Sequence, residues 1–271
     1  MIILDAGEFD IRKIAESGQC FRMKCVEPAN GSTPAKWLVL AKDRLLEAAA
    51  SEEELRLDCS NEEYEGFWAS YFDAQTDYAA IRAMIPAEDT FLTEAAACSR
   101  GIRILRQDPW EMLITFIISQ RKNIPAITSC VEKICRNFGS RLERGLYAFP
   151  TAEQLAAAPH EALCGCSLGY REPYIEETAR RAAAGEIDLN KMELLGDEEL
   201  LKELMSIKGV GIKVANCVSL FGFHRTAAFP IDVWIRRVID EVYGGSFDPS
   251  VYGSAAGVIQ QFMFYYGRSM L

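Results

Sequence analysis

The sequence predicts an α+β protein, with a small antiparallel β-sheet domain and its trailing helix over residues 1–85 and an all-helical domain over 86–271. Three observations carry that expectation. The first sixty residues fall into short alternating runs broken by turn residues; from Asn61 onward the apolar residues recur at helical spacing; and near residue 210 two helical patterns meet across a glycine-rich turn.

Ile2–Leu4, Cys20–Val26, Trp37–Ala41, Arg44–Ala49 and Leu55–Cys59 are the expected strands. Gly18, the loop Pro28–Pro34, Lys42-Asp43 and the acidic run Ser51–Glu54 separate them. In the helical part, Asp108-Pro109 supplies an N-cap and first helical residue, and Trp110, Leu113, Phe116 and Ile117 form an apolar face. The loop Gln120–Pro125 leads into a helix ending at Phe138, stopped by Gly139. Thr151 and Gln154 have the spacing of a capping box. Asp197 is the expected N-cap of a helix whose Leu200, Leu201, Leu204, Met205 and Ile207 repeat at helical spacing. Lys208-Gly209-Val210-Gly211 breaks that helix, and a second runs Ile212–Phe223 with Val214, Val218 and Phe221 inside. A third helix is expected over Val233–Tyr243 and a last over roughly Tyr252–Tyr266.

Composition excludes several classes of function. Nine cysteines are scattered without a paired CxxC spacing, which fits reduced core thiols rather than a disulfide framework. His160 and His224 are the only histidines, too few for histidine-based zinc or triad chemistry. No stretch is apolar enough to span a membrane, and Met-Ile-Ile-Leu-Asp lacks the basic start of a signal peptide, so a cytoplasmic protein is expected. The net charge of −10 opposes nucleic-acid binding, which needs basic surface. Locally the balance reverses at Arg121, Lys122, Arg171, Lys208, Lys213, Arg236, Arg237 and Arg268.

The glycine turn and the two helices after it carry the chemistry. Gly209 and Gly211 permit a sharp bend and leave bare N–H groups at the start of the next helix, an end that favours phosphate. Lys213 lies in that first turn, against the positive end of the helix dipole, where an ammonium sheds its proton more readily and the neutral amine is a nucleophile. Asp232 precedes the third helix, where free N–H groups hold its carboxylate ionised. An amine beside a fixed negative charge suits a reaction passing through a cationic sugar, such as cleavage of the bond between a base and C1′ of deoxyribose.

The segments GVGIKVA and FPIDVW resemble the hairpin and aspartate segments of the helix-hairpin-helix DNA glycosylase superfamily. By that resemblance Lys213 forms a Schiff base with the sugar and Asp232 is essential. Ser17-Gly18-Gln19-Cys20-Phe21-Arg22 resembles a segment of 8-oxoguanine DNA glycosylases in which the glycine carbonyl accepts from the N7 hydrogen that only the oxidised purine carries; read alone, Gly18 is a turn glycine before a strand. Gln260 and Phe264, four apart on the last helix, match the pair that reads the edge and face of the extruded base, with Cys217 covering the other face; their plainer reading is an exposed glutamine and a core phenylalanine. Tyr170 and Arg171 match a wedge into the duplex and a contact to the widowed base, although a tyrosine there can simply be half-buried. Arg121 stands where eukaryotic relatives fill the gap left by the flipped base, in a loop that also holds Asn123. Ala126 stands where the family places an arginine on the orphaned cytosine, and Trp234 where eukaryotic members place a histidine on phosphate.

The resemblance implies a bifunctional 8-oxoguanine DNA glycosylase/AP lyase, bacterial in style, a monomer acting on double-stranded DNA by base flipping and β-elimination, and needing no metal or organic cofactor. Hairpins of this type can hold a monovalent cation. A four-cysteine iron–sulfur cluster, carried by some relatives, is not expected, since no cysteine follows Cys217. A glycosylase for alkylated purines is the nearer alternative, opposed by Lys213. A non-catalytic DNA-binding module is the farther one, in which Lys213 and Asp232 would be dispensable.

Overall fold

The computed structural model describes residues 1–31 and 33–270; Ser32, within the expected loop, and Leu271 lie outside that description. Two compact units emerge: residues 1–39, 46–106 and 224–271 form the first, and residues 40–45 and 107–223 the second. The boundary expected at 85–86 therefore falls inside the first unit, to which the chain returns at His224.

The expected sheet is present, with β1 Ile2–Asp5, β2 Met23–Glu27, β3 Ala35–Ala41, β4 Arg44–Ala50 and β5 Glu54–Leu57 in the order β1-β5-β4-β3-β2. β1 pairs with β5, β2 with β3 and β4 with β5, each antiparallel. Alternation decides which face is inside: Leu55 and Leu57 are buried while Arg56 between them is exposed. β2 is an outer strand, bulged between Cys25 and Glu27 and charged at Lys24 and Glu27, features that discourage pairing with another chain.

Between β1 and β2 the structure adds a helix, Ile11–Glu16, capped by the Asp10 carboxylate on Lys13 N–H at 3.0 Å. One and a half turns are too short to show a period in sequence; only the spacing of its two buried residues, Ile11 and Ile14, hints at it. Later in the unit, helices Thr90–Cys98 and Val233–Val242 pack against the C-terminal helix Ala256–Met270. That last helix starts at Ala256 rather than the expected Tyr252. The preceding 3-10 segment Pro249–Ala255 holds Gly253 at φ 50, ψ −125, a backbone incompatible with helix. Its close approach to Val233–Val242 needs Gly267, whose added Cβ would sit 2.7 Å from Val238.

Arg103 organises the irregular chain beside these helices. It is buried and donates to the carbonyls of Phe72, Asp73 and Thr76 at 3.1, 2.7 and 2.7 Å, and its guanidinium lies 4.3 Å from the Phe9 ring centroid and 4.1 Å from that of Tyr78. Asp73 beside it is also buried and ion-paired with Arg106. Burial alone would raise its pKa, but the hydrogen bond and charge of His224, with Thr76 and Arg106, prevail and lower it.

The second unit is built on Pro109–Ser119, whose residues Glu111 to Ile118 are all buried. Asp108 caps it through Glu111 N–H at 3.0 Å, as the sequence predicts, and the Thr151–Gln154 capping box also forms. Pro109–Ser119 packs against Ile124–Phe138 and Ile212–Phe221. Gly139 ends Ile124–Phe138 where any Cβ would lie 1.9 Å from the Ala148 carbonyl oxygen. The expected end of the second hairpin helix at Phe223 moves back to Phe221: Gly222 is the cap, and the Phe223 N–H reaches Val218 in a widened last turn. Likewise Val233–Val242 stops one residue short of Tyr243, its cap.

Candidate active site and nucleic-acid interface

The hairpin lies wholly in the second unit. Its first helix, Asp197–Met205, is capped by Gly196 and not by Asp197, which joins Glu198 and Glu199 in the first turn, where negative charge meets the positive end of the helix dipole. Leu200, Leu204 and Ile207 are buried as expected, whereas Met205 is 40% exposed. Val210 N–H closes the turn on the Ile207 carbonyl at 3.0 Å. Gly209 sits at φ +85 with the Tyr174 ring against its Cα; an added Cβ would fall 2.4 Å from Tyr174 Cδ2. Gly211, at φ −90 and ψ 176, is the N-cap of Ile212–Phe221 and offers no side chain to it, and among the described residues beyond its chain neighbours nothing lies within 4 Å of where a Cβ would stand. The two glycines thus serve different ends. Gly209 is required by the protein's own packing, and Gly211 leaves a helix N-terminus with an unobstructed approach.

Lys213 is the second residue of that helix and is half-buried, its ammonium 5.4 Å from the centroid of Phe116, which stacks on Phe221 at 5.5 Å. The electron-rich face of the ring attracts an ammonium at this distance. Lys208, by contrast, is bound to Glu177 at 2.9 Å. Cys217, one turn beyond Lys213, is 3% exposed.

Three loops of this unit are tied together by two side chains. Gln120 caps Pro109–Ser119; its amide donates to Gly209 O and Ile117 O, each at 3.0 Å, and its own carbonyl accepts from Arg171. Arg171 also donates to Leu168 O at 2.9 Å and is only 5% exposed. The arginine expected on the widowed base is therefore turned into the protein, where it links the 168–171 loop to the 120–123 loop and, through Gln120, to the hairpin. Sequence reasoning missed this role for Gln120, since a glutamine after a helix carries no pattern. Tyr170 remains outside, 51% exposed, with the Arg171 guanidinium 4.3 Å from its ring centroid and Tyr174 edge-on at 6.3 Å. Arg121 is exposed at φ 52, a left-handed backbone unusual for a non-glycine residue. Asn123 caps Ile124–Phe138 through Ala126 N–H at 3.0 Å. The local basic surface is thinner than the sequence suggests, since Lys122 donates to Ser167 O at 3.0 Å and Arg237, in the first unit, pairs with Glu241 at 2.7 Å.

In the first unit, Gly18 follows Ser17, the C-cap of Ile11–Glu16, and takes φ +75. The residue after it fixes that bend: Gln19 is buried, donates to Ser17 Oγ at 2.9 Å and Arg103 O at 2.8 Å, and accepts from Leu105 N–H at 2.8 Å. Asp232 is the N-cap of Val233–Val242, one carboxylate oxygen accepting from Trp234 N–H at 3.0 Å and Ile235 N–H at 2.9 Å, which favours the ionised form. Trp234 is half-buried. Gln260 is 3% exposed; its amide donates to Pro230 O at 3.1 Å, two residues before Asp232, and its oxygen accepts from Gln261 at 3.1 Å. The glutamine read from sequence as an exposed alternative is therefore buried, and Phe264, one turn on, is half-buried with Arg268 5.5 Å from its centroid.

Six of the nine cysteines are buried, as expected of core thiols, but Cys25 and Cys164 are exposed and Cys98 is intermediate; all nine are free. Among the described residues no helix is long and apolar enough to cross a membrane.

Residues 1–113 match the N-terminal domain of 8-oxoguanine DNA glycosylase, and residues 114–251 match the HhH-GPD superfamily of base excision DNA repair proteins. An N-glycosylase/DNA lyase of Saccharomyces cerevisiae is 32% identical, the match covering 89% of this chain and 70% of the yeast protein. The structure of the Clostridium acetobutylicum 8-oxoguanine glycosylase/lyase, in complex with double-stranded DNA containing cytosine opposite 8-oxoguanine, superposes with a TM-score of 0.87 at 32% identity, covering 97% of this chain and 93% of that one. A 3-methyladenine DNA glycosylase from Archaeoglobus fulgidus superposes at a TM-score of 0.74, covering 100% of this chain and 99% of that one, but at 22% identity it shares the fold alone. The chain belongs to the HhH-GPD superfamily of base excision DNA repair proteins, in the group that carries the 8-oxoguanine DNA glycosylase N-terminal domain.

Proposed function

We propose that this protein removes 8-oxoguanine from duplex DNA and then cleaves the strand as an AP lyase, with Lys213 as nucleophile and Asp232 as the fixed negative charge. The observation that carries the proposal is Lys213 itself: a half-buried amine in the first turn of a helix whose N-terminus has no side-chain cap. There the phosphates of the damaged strand find bare N–H groups while the amine faces the sugar.

The duplex is opened by flipping the oxidised nucleotide, at a cost of a few kcal/mol of stacking, and Tyr170, exposed and steadied by Arg171, wedges into the stack to restore part of it. Arg121 fills the space the base vacates, and Asn123 and Trp234 line the backbone path. The Gly18 carbonyl accepts from the N7 hydrogen of 8-oxoguanine. Normal guanine presents a lone pair at N7, which would oppose the carbonyl lone pairs and leave both unsatisfied. Cys217 and Phe264 cover the two faces of the base and Gln260 its edge.

Lys213, as the free amine, forms a bond to C1′ as the N-glycosidic bond breaks and the base leaves with the bonding electrons and a proton. Asp232, held ionised by two backbone N–H groups, stabilises the positive charge that grows on the sugar. Ring opening gives an imine between Lys213 and C1′. The imine acidifies the C2′ hydrogens; loss of one expels the 3′ phosphate and breaks the strand. Hydrolysis of the imine then returns the amine.

The test uses duplexes carrying 8-oxoguanine, 3-methyladenine or no lesion, incubated with the protein and borohydride. A covalent adduct with the oxidised duplex alone is expected, and it should be absent with Lys213→Gln. Release of 3-methyladenine without trapping would assign the protein instead to the alkylated-purine glycosylases.

A further inference from the structure

The second unit holds a group of side chains that the repair chemistry does not use. His160 and Cys164 are the first and last residues of the helix His160–Cys164, four apart and so on one face, and Glu172 opens the helix Glu172–Ala183 opposite them. His160 Nε2 lies 3.7 Å from Cys164 Sγ, and Cys164 Sγ lies 3.2 Å from Glu172 Oε2, with all three ligand atoms within 4.8 Å of one another. His160 and Cys164 are exposed, so an ion can reach them.

We propose that His160, Cys164 and Glu172 form a zinc site, with Glu176 orienting the imidazole. The spacing suits the metal. Zinc bonds of about 2.3 Å to sulfur and 2.0–2.2 Å to nitrogen or oxygen, set at tetrahedral angles, place ligand atoms roughly 3.6 Å apart. The histidine-to-cysteine separation already matches this, and the cysteine-to-glutamate pair needs only a small opening. The donor set of thiolate, imidazole and carboxylate is one that zinc accepts, and three protein ligands leave the fourth position to water. The imidazole is turned the right way. Its Nδ1 lies 3.4 Å from the Glu176 carboxylate, one helical turn beyond Glu172, so that in the metal-bound form Glu176 stands where it can accept from Nδ1 while Nε2 takes the ion. On binding, the Cys164 thiol proton, donated to Glu172 in the metal-free form, passes to solvent and the thiolate takes the ion. The ligands flank residues 165–171, so an ion here closes a ring around the loop that presents Tyr170. The sequence showed no histidine pair and no CxxC; the overlooked signal is one histidine and one cysteine four residues apart with a carboxylate eight residues further on.

The full-length chain, stripped with chelator, is titrated with Zn²⁺ against a chromophoric chelator, and in parallel with Co²⁺, whose thiolate charge-transfer band reports sulfur ligation. The expected result is about one ion per chain with a thiolate band, both lost in Cys164→Ser and in His160→Ala. Glu176→Gln should keep the band while weakening affinity by about 10–100-fold. Cys25→Ser, altering the other exposed thiol, should bind as wild type does. Thermal unfolding of the metal-free forms should be alike in all four variants, and zinc should raise the midpoint only in those that bind. Absence of stoichiometric uptake, or uptake and band unchanged in Cys164→Ser, would overturn the proposal. Borohydride trapping, which does not involve these residues, can fail independently of this outcome.

Discussion

Replacing Gly209 by alanine should unfold the hairpin's packing, whereas the same change at Gly211, two residues on, should spare the fold and strike at DNA. At Gly209 the backbone is left-handed, φ +85, which costs a residue with a side chain about 1–2 kcal/mol. The new methyl would also lie 2.4 and 2.6 Å from Cδ2 and Cγ of Tyr174, at the root of the ring, where no small torsion relieves the overlap. Overpacking of that kind adds about 1–3 kcal/mol, for a total of about 2–5 kcal/mol. Displacing Tyr174 also disturbs Tyr170, which it meets edge-on. At Gly211, φ is −90 and nothing lies within 4 Å of the added methyl, so the change should stay within about 1 kcal/mol, the lower chain entropy of alanine offsetting its poorer capping. That methyl projects beside the bare helix N-terminus and should weaken duplex affinity. Denaturant unfolding monitored by tryptophan fluorescence, with binding to an abasic-analogue duplex, measures both. Equal stability of the two variants, or a Gly209→Ala loss below about 0.5 kcal/mol, would refute this division of labour.

Asp232→Asn should retain stability to within a few tenths of a kcal/mol, because asparagine caps a helix as well as aspartate, and yet lose at least about 100-fold in turnover with duplex binding kept; Asp232→Ala should lose about 1 kcal/mol of stability besides. Single-turnover kinetics and thermal unfolding together separate the two effects. The lowered pKa of Asp73 makes its contribution to stability complete above the unfolded carboxylate value of about 3.9, and that contribution is lost as pH falls through the lower folded value. The stability gap between wild type and Asp73→Asn should therefore narrow on acidification from pH of about 5 downward, and a gap that widened would contradict the assignment. Because Lys208 and Arg237 are already paired with Glu177 and Glu241 and the chain carries a net charge of −10, log affinity for undamaged duplex should fall with log salt at a slope no steeper than about −4. Tyr170→Ala should leave folding intact, since half of the side chain is exposed, and slow base release more on a stable duplex than on one with a mismatch at the lesion.

The elements were legible wherever a local rule fixes them. Alternation fixed the sheet, Asp108 and Thr151 fixed helix starts, the glycine turn put Lys213 in the first turn of its helix, and Asp232 is the expected cap of Val233–Val242. Boundaries drifted where the deciding contact is distant or backbone-borne. The C-terminal helix waits for Gly253 to leave its unhelical backbone, and Gly222 stops the second hairpin helix beside Met112 and Pro109. Side-chain fates were the least legible. Arg171 is drawn inside by the carbonyls of Leu168 and Gln120, and Gln260 by Pro230, partners that lie far off in sequence or carry no pattern. The division into units was also hidden, because the chain leaves the first unit at residue 107 and returns to it at 224.

The proposed chemistry stands or falls on whether the amine of Lys213 becomes bonded to the sugar. Mass spectrometry of peptides from the protein reduced with borohydride on an 8-oxoguanine duplex decides it. One modified peptide is expected, with the deoxyribose remnant on Lys213, and none from Lys213→Gln. A remnant on another lysine, or efficient base release with no adduct from the wild-type protein, would contradict the assignment.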